Sequence, residues 1–208
     1  ASSNETREKY GMVTKYRVLP RCFGLYTFRG EKFPVAEIEE ICIENNTMSY
    51  HDYQECRDLH LTVEIFNNDS IFSELIQLLH QYRISRSKYI REIHDKVIKD
   101  PIIGELYTEF RKEEKINLSD EEKDLYKLTD KIKVINKYID GQYGTNELYK
   151  YRVLGIFENT ERIHDIAFSV GENLLKNEGV LTKDLEKYLD ELLKFSLLRK
   201  KELLNTKK

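Results

Sequence analysis

Between Thr14 and Gly30 the chain gathers Arg17, Pro20, Arg21, Cys22 and Gly24 within eight positions of one another, with Arg29 and Gly30 close behind. An arginine's planar fork grips a carboxylate or phosphate at two points, and cationic neighbours stabilise a thiolate. Arg17, Arg21 and Cys22 are therefore the candidate substrate or domain contacts. Pro20 and Gly24 would by themselves justify a tight turn here, so both a structural turn and a functional contact stand open.

The other chemistry-bearing residues make weaker constellations. His60 and Glu64 are spaced i, i+4 as metal ligands can be, but no third ligand of matching spacing accompanies them, and His60 falls on the same stripe as Tyr53 and Val63. It reads as a satisfied, partly buried histidine. His51, His80, His94 and His164 read as surface or capping residues. Glu37, Glu39, Glu40 and Glu44 could supply paired carboxylates, yet acid–base work needs environments that push two pKa values apart, and the sequence shows no such asymmetry. They read as a solvated strand edge. Cys22, Cys42 and Cys56 are odd in number and widely spaced, which fits neither a disulfide framework nor a zinc site. No glycine-rich phosphate loop is present. The 14 tyrosines follow no aromatic–basic pattern for nucleic acid and read as helix-interface anchors.

Composition narrows the partners. The 208 residues carry 34 basic and 37 acidic side chains, a formal charge of -3, so no global field draws nucleic acid or an anionic membrane. The basic end, Arg199-Lys200-Lys201 and Lys207-Lys208, reads as a solvated terminus. No apolar run is long enough to cross a bilayer and the amino end has no signal-peptide core, so the expectation is a cytoplasmic protein with no membrane and no nucleic acid partner. The glycosylation patterns at Asn45, Asn68 and Asn117 matter only in a secreted chain. The polar opening without methionine gives the expectation of a piece of a longer protein.

The elements that must position these residues are legible in outline. From Val13 to Glu44, β-branched and aromatic residues interrupted by Pro20, Gly24, Gly30 and Pro34 predict two or three strands, with the turn at Arg29-Gly30-Glu31-Lys32. Residues 35–44 are ambiguous between helix and strand, and strand is favoured. After Met48 the period changes to three and four. Ser49 with Asp52 caps a first helix whose inward face reads as Tyr53, Cys56, His60 and Val63. Phe72–Tyr82 forms a second, Ser85 caps a third, and Asp100-Pro101 opens a fourth. A capping box at Ser119-Asp-Glu-Glu122 begins a fifth running to Gly141. A long sixth helix from Tyr149 to Gly179 carries an apolar seam along 149–174, and Thr182 caps the last. The fold class is α+β, mainly α: a small amino-terminal β-hairpin element, residues 1–48, then a bundle of about seven helices, residues 49–208.

The run Arg17-Val-Leu-Pro-Arg-Cys-Phe-Gly24, then Ala36-Glu-Ile-Glu-Glu-Ile-Cys42 leading into Asn46-Thr-Met-Ser49, Asp52-Tyr53 and Arg57, resembles the carboxy-terminal region of radical SAM proteins with an amino-terminal cobalamin-binding domain. Gly144-Thr-Asn-Glu-Leu-Tyr-Lys-Tyr151 looks like another segment of the same proteins. The resemblance implies a parent enzyme with a 4Fe-4S cluster, S-adenosylmethionine and cobalamin, held by an upstream radical SAM barrel and a corrinoid domain. The Cys-x-x-x-Cys-x-x-Cys motif of that barrel does not occur in this sequence, so residues 1–48 would continue from the barrel and 49–208 would form a helical accessory domain without catalytic residues or metal ligands of its own. Its partner is then the upstream barrel of the same chain. The alternative is a helical protein–protein interaction module with no enzymatic role, which a long exposed seam along 149–174 would favour. A stand-alone hydrolase would require two glutamates to converge in one pocket.

Overall fold

The structure is a computed structural model that describes residues 3–144 and 146–205, the side chains of 201–205 apart. Ala1, Thr145 of the 144–151 stretch and the terminal Lys207-Lys208 lie outside the described residues. The fold is α+β and mainly α, with ten α-helices among the described residues and one two-stranded antiparallel sheet. The chain divides into two compact units, the first made of Ala1–Arg57 and Phe110–Lys150, the second of Asp58–Glu109 and Tyr151–Lys208.

In the first unit, α1 (Asn4–Tyr10) precedes the hairpin β1 (Val13–Phe28) and β2 (Glu31–Glu44). The helix was not expected in the polar opening; Ser3 caps it by accepting from the Thr6 amide. Residues 35–44 are strand, and Arg29 (φ 50°) and Gly30 (φ 84°) make the turn between Phe28 and Glu31. A pair of positive φ angles matches the twist of the flanking strands. Gly30→Ala is expected to cost about 1 kcal/mol, because a Cβ is disfavoured in the left-handed region. Hydrogen exchange of the strand amides beside the turn should speed up about fivefold, with little change elsewhere.

The hairpin register is broken once in the motif. Val18 pairs with Ile38 and Phe23 with Ala36, so residues 19–22 face the single Glu37. Pro20 lies inside this bulge, where the ladder demands no N–H from it, and Arg21 takes a left-handed φ of 67°. The polar motif is thus a bulge that re-aims the strand, not a hairpin end.

Helices α6 (Glu122–Thr129) and α7 (Ile132–Ile139) pack on both strands. The single helix expected over 119–141 is therefore two. Ser119 is drawn out of the helix by β1, exchanging backbone hydrogen bonds with Tyr16 at 2.9 and 2.7 Å. Thr129 Oγ1 donates back to the Leu125 and Tyr126 carbonyls, and Lys131 is extended, which ends the first ladder. Val18, Ile43, Leu125, Ile135 and Tyr138 are buried in this unit.

Helices α2 (Tyr50–Phe66) and α5 (Ile103–Ile116) begin and end in different units. In the second unit the other helices are α3 (Ser73–Gln81), α4 (Arg86–Val97), α9 (Thr160–Asn177) and α10 (Lys183–Asn205), while α8 (Glu147–Val153) enters it only at its end. Helix α9 packs against α3, α4 and α10. Leu61, Ile65, Phe66, Leu75, Ile93, Tyr107, Ile163 and Leu174 form its core.

The expected inward face of α2 is corrected. Cys56 and His60 are exposed, and the buried residues are Asp58, Leu61, Thr62, Ile65 and Phe66. Two polar residues on the true core face disguised it; Thr62 Oγ1 is satisfied by Tyr107 OH and His94 Nδ1, each at 2.8 Å. The long helix over 149–179 is also broken. A π turn at Leu154–Glu158 separates α8 from α9, and Asn159 Nδ2 donates to the Leu154 carbonyl at 3.2 Å while Thr160 Oγ1 bonds back to Ile156. These two breaks turn the seven helices expected after the hairpin into nine among the described residues. The seam residues Thr160, Ile163, Ala167, Val170 and Leu174 are buried within the second unit.

Candidate functional site

In the first unit, the two stretches that the resemblance singles out meet in one cluster of charged side chains, to which α5 adds Glu114. Arg17 and Glu39 are directly opposite across the hairpin, and Arg17 Nε donates to Glu39 Oε1 at 2.5 Å. Arg17 Nη1 also stands 3.7 Å from Glu147 Oε2. Glu147 is the first residue of α8, behind an Asn146 whose Oδ1 caps the helix by accepting from the Tyr149 amide. The Glu147 side chain is only 4% exposed, and its Oε1 accepts from Asn117 Nδ2 at 2.6 Å.

A second pair adjoins the first. Arg57, on α2, donates through Nε (2.7 Å) and Nη2 (2.5 Å) to Glu114 Oε1 on α5. Burial pushes the Glu114 carboxyl above its ordinary value; the Arg57 hydrogen bonds offset only part of this, and the Glu147 charge adds to it. Tyr53, also raised by burial, lies within the fields of Glu114, Arg57 and Arg17. The cluster thus carries two arginines and three carboxylates, Glu39, Glu114 and Glu147, in a partly dehydrated setting.

Beside Arg17 and Glu147 the unit holds a cavity of about 200 Å³. Val18, Leu118, Leu125 and Tyr138 give it apolar walls, and Arg17, Asn117 and Glu147 supply its polar part. Gly144, at φ 59°, closes one side: a Cβ there would come within 2.4 Å of the Tyr138 ring, so the approach requires glycine.

Arg17 of the three sequence-selected residues thus lies at this cavity. Arg21 projects from the bulge with its guanidinium 5.5 Å from the Tyr149 ring centroid, a cation–π contact. Cys22 is a half-buried free thiol. The glutamates of β2 do not converge: adjacent residues point to opposite faces, so Glu39 meets Arg17 while Glu40 takes Arg7, Thr14 and Tyr16. Arg7 is the first cause of a Glu40 pKa lowered to about 2.

No protein-family model matches the chain, and a comparison with curated proteins finds no match either. Among the described residues, no helix is long and apolar enough to cross a membrane.

Glu114, Asn117 and Glu147 escaped sequence reasoning because their partners are remote in the chain. Glu147 and Arg57 did sit inside the two resembling stretches, which was the only available signal. His164 is a further correction. It is fully buried in the second unit, its Nδ1 donating to the Thr160 carbonyl at 2.7 Å and its Nε2 accepting from Ser196 Oγ at 3.0 Å. Phe72 and Phe168 flank its ring. His60 is not partly buried but exposed, with Nε2 3.8 Å from Glu64.

Proposed function

We propose that this chain is the carboxy-terminal accessory domain of a cobalamin-binding radical SAM iron–sulfur enzyme of the cytoplasm, capping the radical site and helping to select substrate without being catalytic itself. The single observation that supports this reading is the joining of the two resembling stretches, 14–57 and 144–151, through Arg17 and Glu147. Residues of the two resembling stretches, far apart in sequence, share one partly dehydrated cluster. Capping matters to such chemistry because a carbon radical is quenched by accessible hydrogen donors.

The residues present do not fit the parent's cluster. Cys22 lies in the bulge, Cys42 in β2 with its Sγ donating to the Glu44 carbonyl, and Cys56 on the exposed side of α2. Among the described residues, the group of three potential ligands whose atoms come together is His51, Asp52 and Glu55, all exposed and without a thiol. The 4Fe-4S cluster, S-adenosylmethionine and cobalamin accordingly belong, in this proposal, to the upstream barrel and corrinoid domain. The interaction-module alternative would gain from an exposed 149–174 seam, but the seam is buried from Thr160 onward.

Arg21 gives the cleaner test, since Arg17 also holds the unit's own ion pairs. It is exposed and its stacking on Tyr149 leaves the guanidinium edge accessible to a carboxylate or phosphate. In the full-length protein, Arg21→Ala is expected to weaken substrate binding or docking to the barrel about tenfold, the worth of one charged hydrogen bond. Steady-state KM and limited proteolysis of the hairpin read the two effects separately. Unchanged values in both would remove the basis of the proposal.

A further inference from the structure

The corner where α3 turns into α4, in the second unit, gathers positive charge in a chain that is slightly acidic overall. From Leu75 to Arg91 there is no aspartate or glutamate, while Arg83, Arg86, Lys88 and Arg91 are basic. Glu74, one turn before Gln77, is held by Arg199, and Glu178 is held by Lys88 at 2.8 Å. Glu92, the next acid along α4, lines a separate groove with Asn173 and Asn177. The connection itself is tight: Arg83 takes a left-handed φ of 60°, and the Arg83 and Ile84 amides donate to the His80 and Leu79 carbonyls. That turn brings the start of α4 beside the last turn of α3, and between them lies a groove of about 450 Å³. Ile76 and Ile84, both buried, form its floor. Gln77 and Gln81, spaced i, i+4, line it together with His80 and Arg86. None of these four polar side chains makes a hydrogen bond or ion pair among the described residues.

We propose that this groove binds a small organic anion, a carboxylate or phosphate ester that carries an apolar body. Its volume lies within the ~300–1,000 Å³ of sites that enclose drug-sized ligands. The Arg86 fork grips two anionic oxygens at once, and a His80 ring N–H and the two glutamine amides are further donors. The isoleucine floor takes the apolar body, which an inorganic anion lacks. A cation meets a lining that holds a guanidinium and no carboxylate. A neutral molecule gains nothing from the guanidinium's charge. The site lies within the second unit and does not depend on the identity of any parent enzyme.

The test titrates the 208-residue chain, followed by NMR, with phenyl phosphate, phenylacetate, benzylammonium, benzyl alcohol and inorganic phosphate. Saturable shifts centred on Ile76, His80, Ile84 and Arg86 are expected with the two aromatic anions, about tenfold tighter than with benzylammonium or benzyl alcohol. Saturation by either anion supports the proposal, and the tighter of the two names the head group. Inorganic phosphate should bind about fivefold more weakly than phenyl phosphate, because it leaves the isoleucines uncovered. Arg86→Gln is expected to weaken the aromatic anions about tenfold, the worth of one charged hydrogen bond. Arg91→Gln removes a basic residue outside the lining and should change affinity less than about twofold. Gln77→Trp, at an exposed position of α3, should fill the groove and abolish the shifts while the circular dichroism spectrum stays unchanged; Arg86→Gln provides the readout should the tryptophan variant fold poorly. Equal losses from Arg86→Gln and Arg91→Gln would mark a diffuse basic surface and overturn the proposal. Equal response to the charged and neutral aromatic probes, inorganic phosphate binding as tightly as phenyl phosphate, no saturation by either aromatic anion, or shifts centred elsewhere would each overturn it as well.

Discussion

Arg57→Ala is expected to lower the stability of the chain by about 3–5 kcal/mol near neutral pH, because it strands the Glu114 carboxylate in a dehydrated setting. The magnitude follows from burial: the two side chains are 18% and 10% exposed, so solvent screens the pair far less than a surface salt bridge. The Arg57 guanidinium also lies 5.8 Å from the Phe110 ring centroid, and that contact is lost with it. The penalty should depend on pH with a definite sign. The folded-state pKa of Glu114 is already raised above the usual 4.5, and removing Arg57 raises it further. Between the unfolded and folded values the native state holds the extra proton, so stability declines as pH rises through that window. The deficit of the variant should therefore be largest above the folded pKa of Glu114 and shrink as pH falls toward 4.5. Urea midpoints at pH 5 and pH 8 measure it. The double variant Arg57→Met, Glu114→Leu should recover most of the loss, since two apolar groups replace the ion pair without leaving a buried charge. A deficit under about 1 kcal/mol at pH 8 would mean that water reaches Glu114 freely.

The same pair shows where sequence reasoning stops. Local chemistry was readable because its partners lie within one turn. Ser49 and Asp52 do cap α2 reciprocally, Ser85 accepts from the Lys88 amide, Thr182 from Leu185, and Asp100 Oδ1 takes the amides of Ile102 and Ile103. The strand choice for 35–44 and the turn at Gly30 were likewise local. What escaped depended on distant partners. The buried face of α2 contains Asp58 and Thr62, and only the presence of Tyr107 and His94 makes a threonine acceptable there. The breaks at Thr129 and at the π turn come from side chains returning to their own backbone, which leaves the apolar period nearly intact. Arg17 was chosen for its fork, but sequence supplied neither Glu39 across the hairpin nor Glu147 on α8, so its role could only be guessed as half of an interface. In the fold both halves of its ion pairing are internal to the first unit.

His164 carries the last prediction, which concerns the second unit alone. The Thr160 carbonyl can only accept, so Nδ1 bears the proton and Nε2 is left to accept from the Ser196 hydroxyl. A second proton would place a charge between the Phe72 and Phe168 rings, with no exposure to water, and Lys200 would repel it. Burial accordingly holds the imidazole pKa below its usual 6.5. Below that value the unfolded chain takes up a proton that the native state refuses, so stability from this residue is fully present above pH 6.5 and is lost as pH falls toward the folded pKa. The slope contributed is at most about 1.4 kcal/mol per pH unit. Comparing urea midpoints of the chain with those of His164→Gln between pH 7 and pH 5 isolates it, because glutamine keeps donors and acceptors but does not titrate. His164→Ala should cost about 3 kcal/mol at pH 7, from the cavity between the two phenylalanines and the unpaired Ser196 hydroxyl. Parallel pH profiles for the chain and His164→Gln would show that the imidazole meets solvent, contrary to its place between α9 and α10.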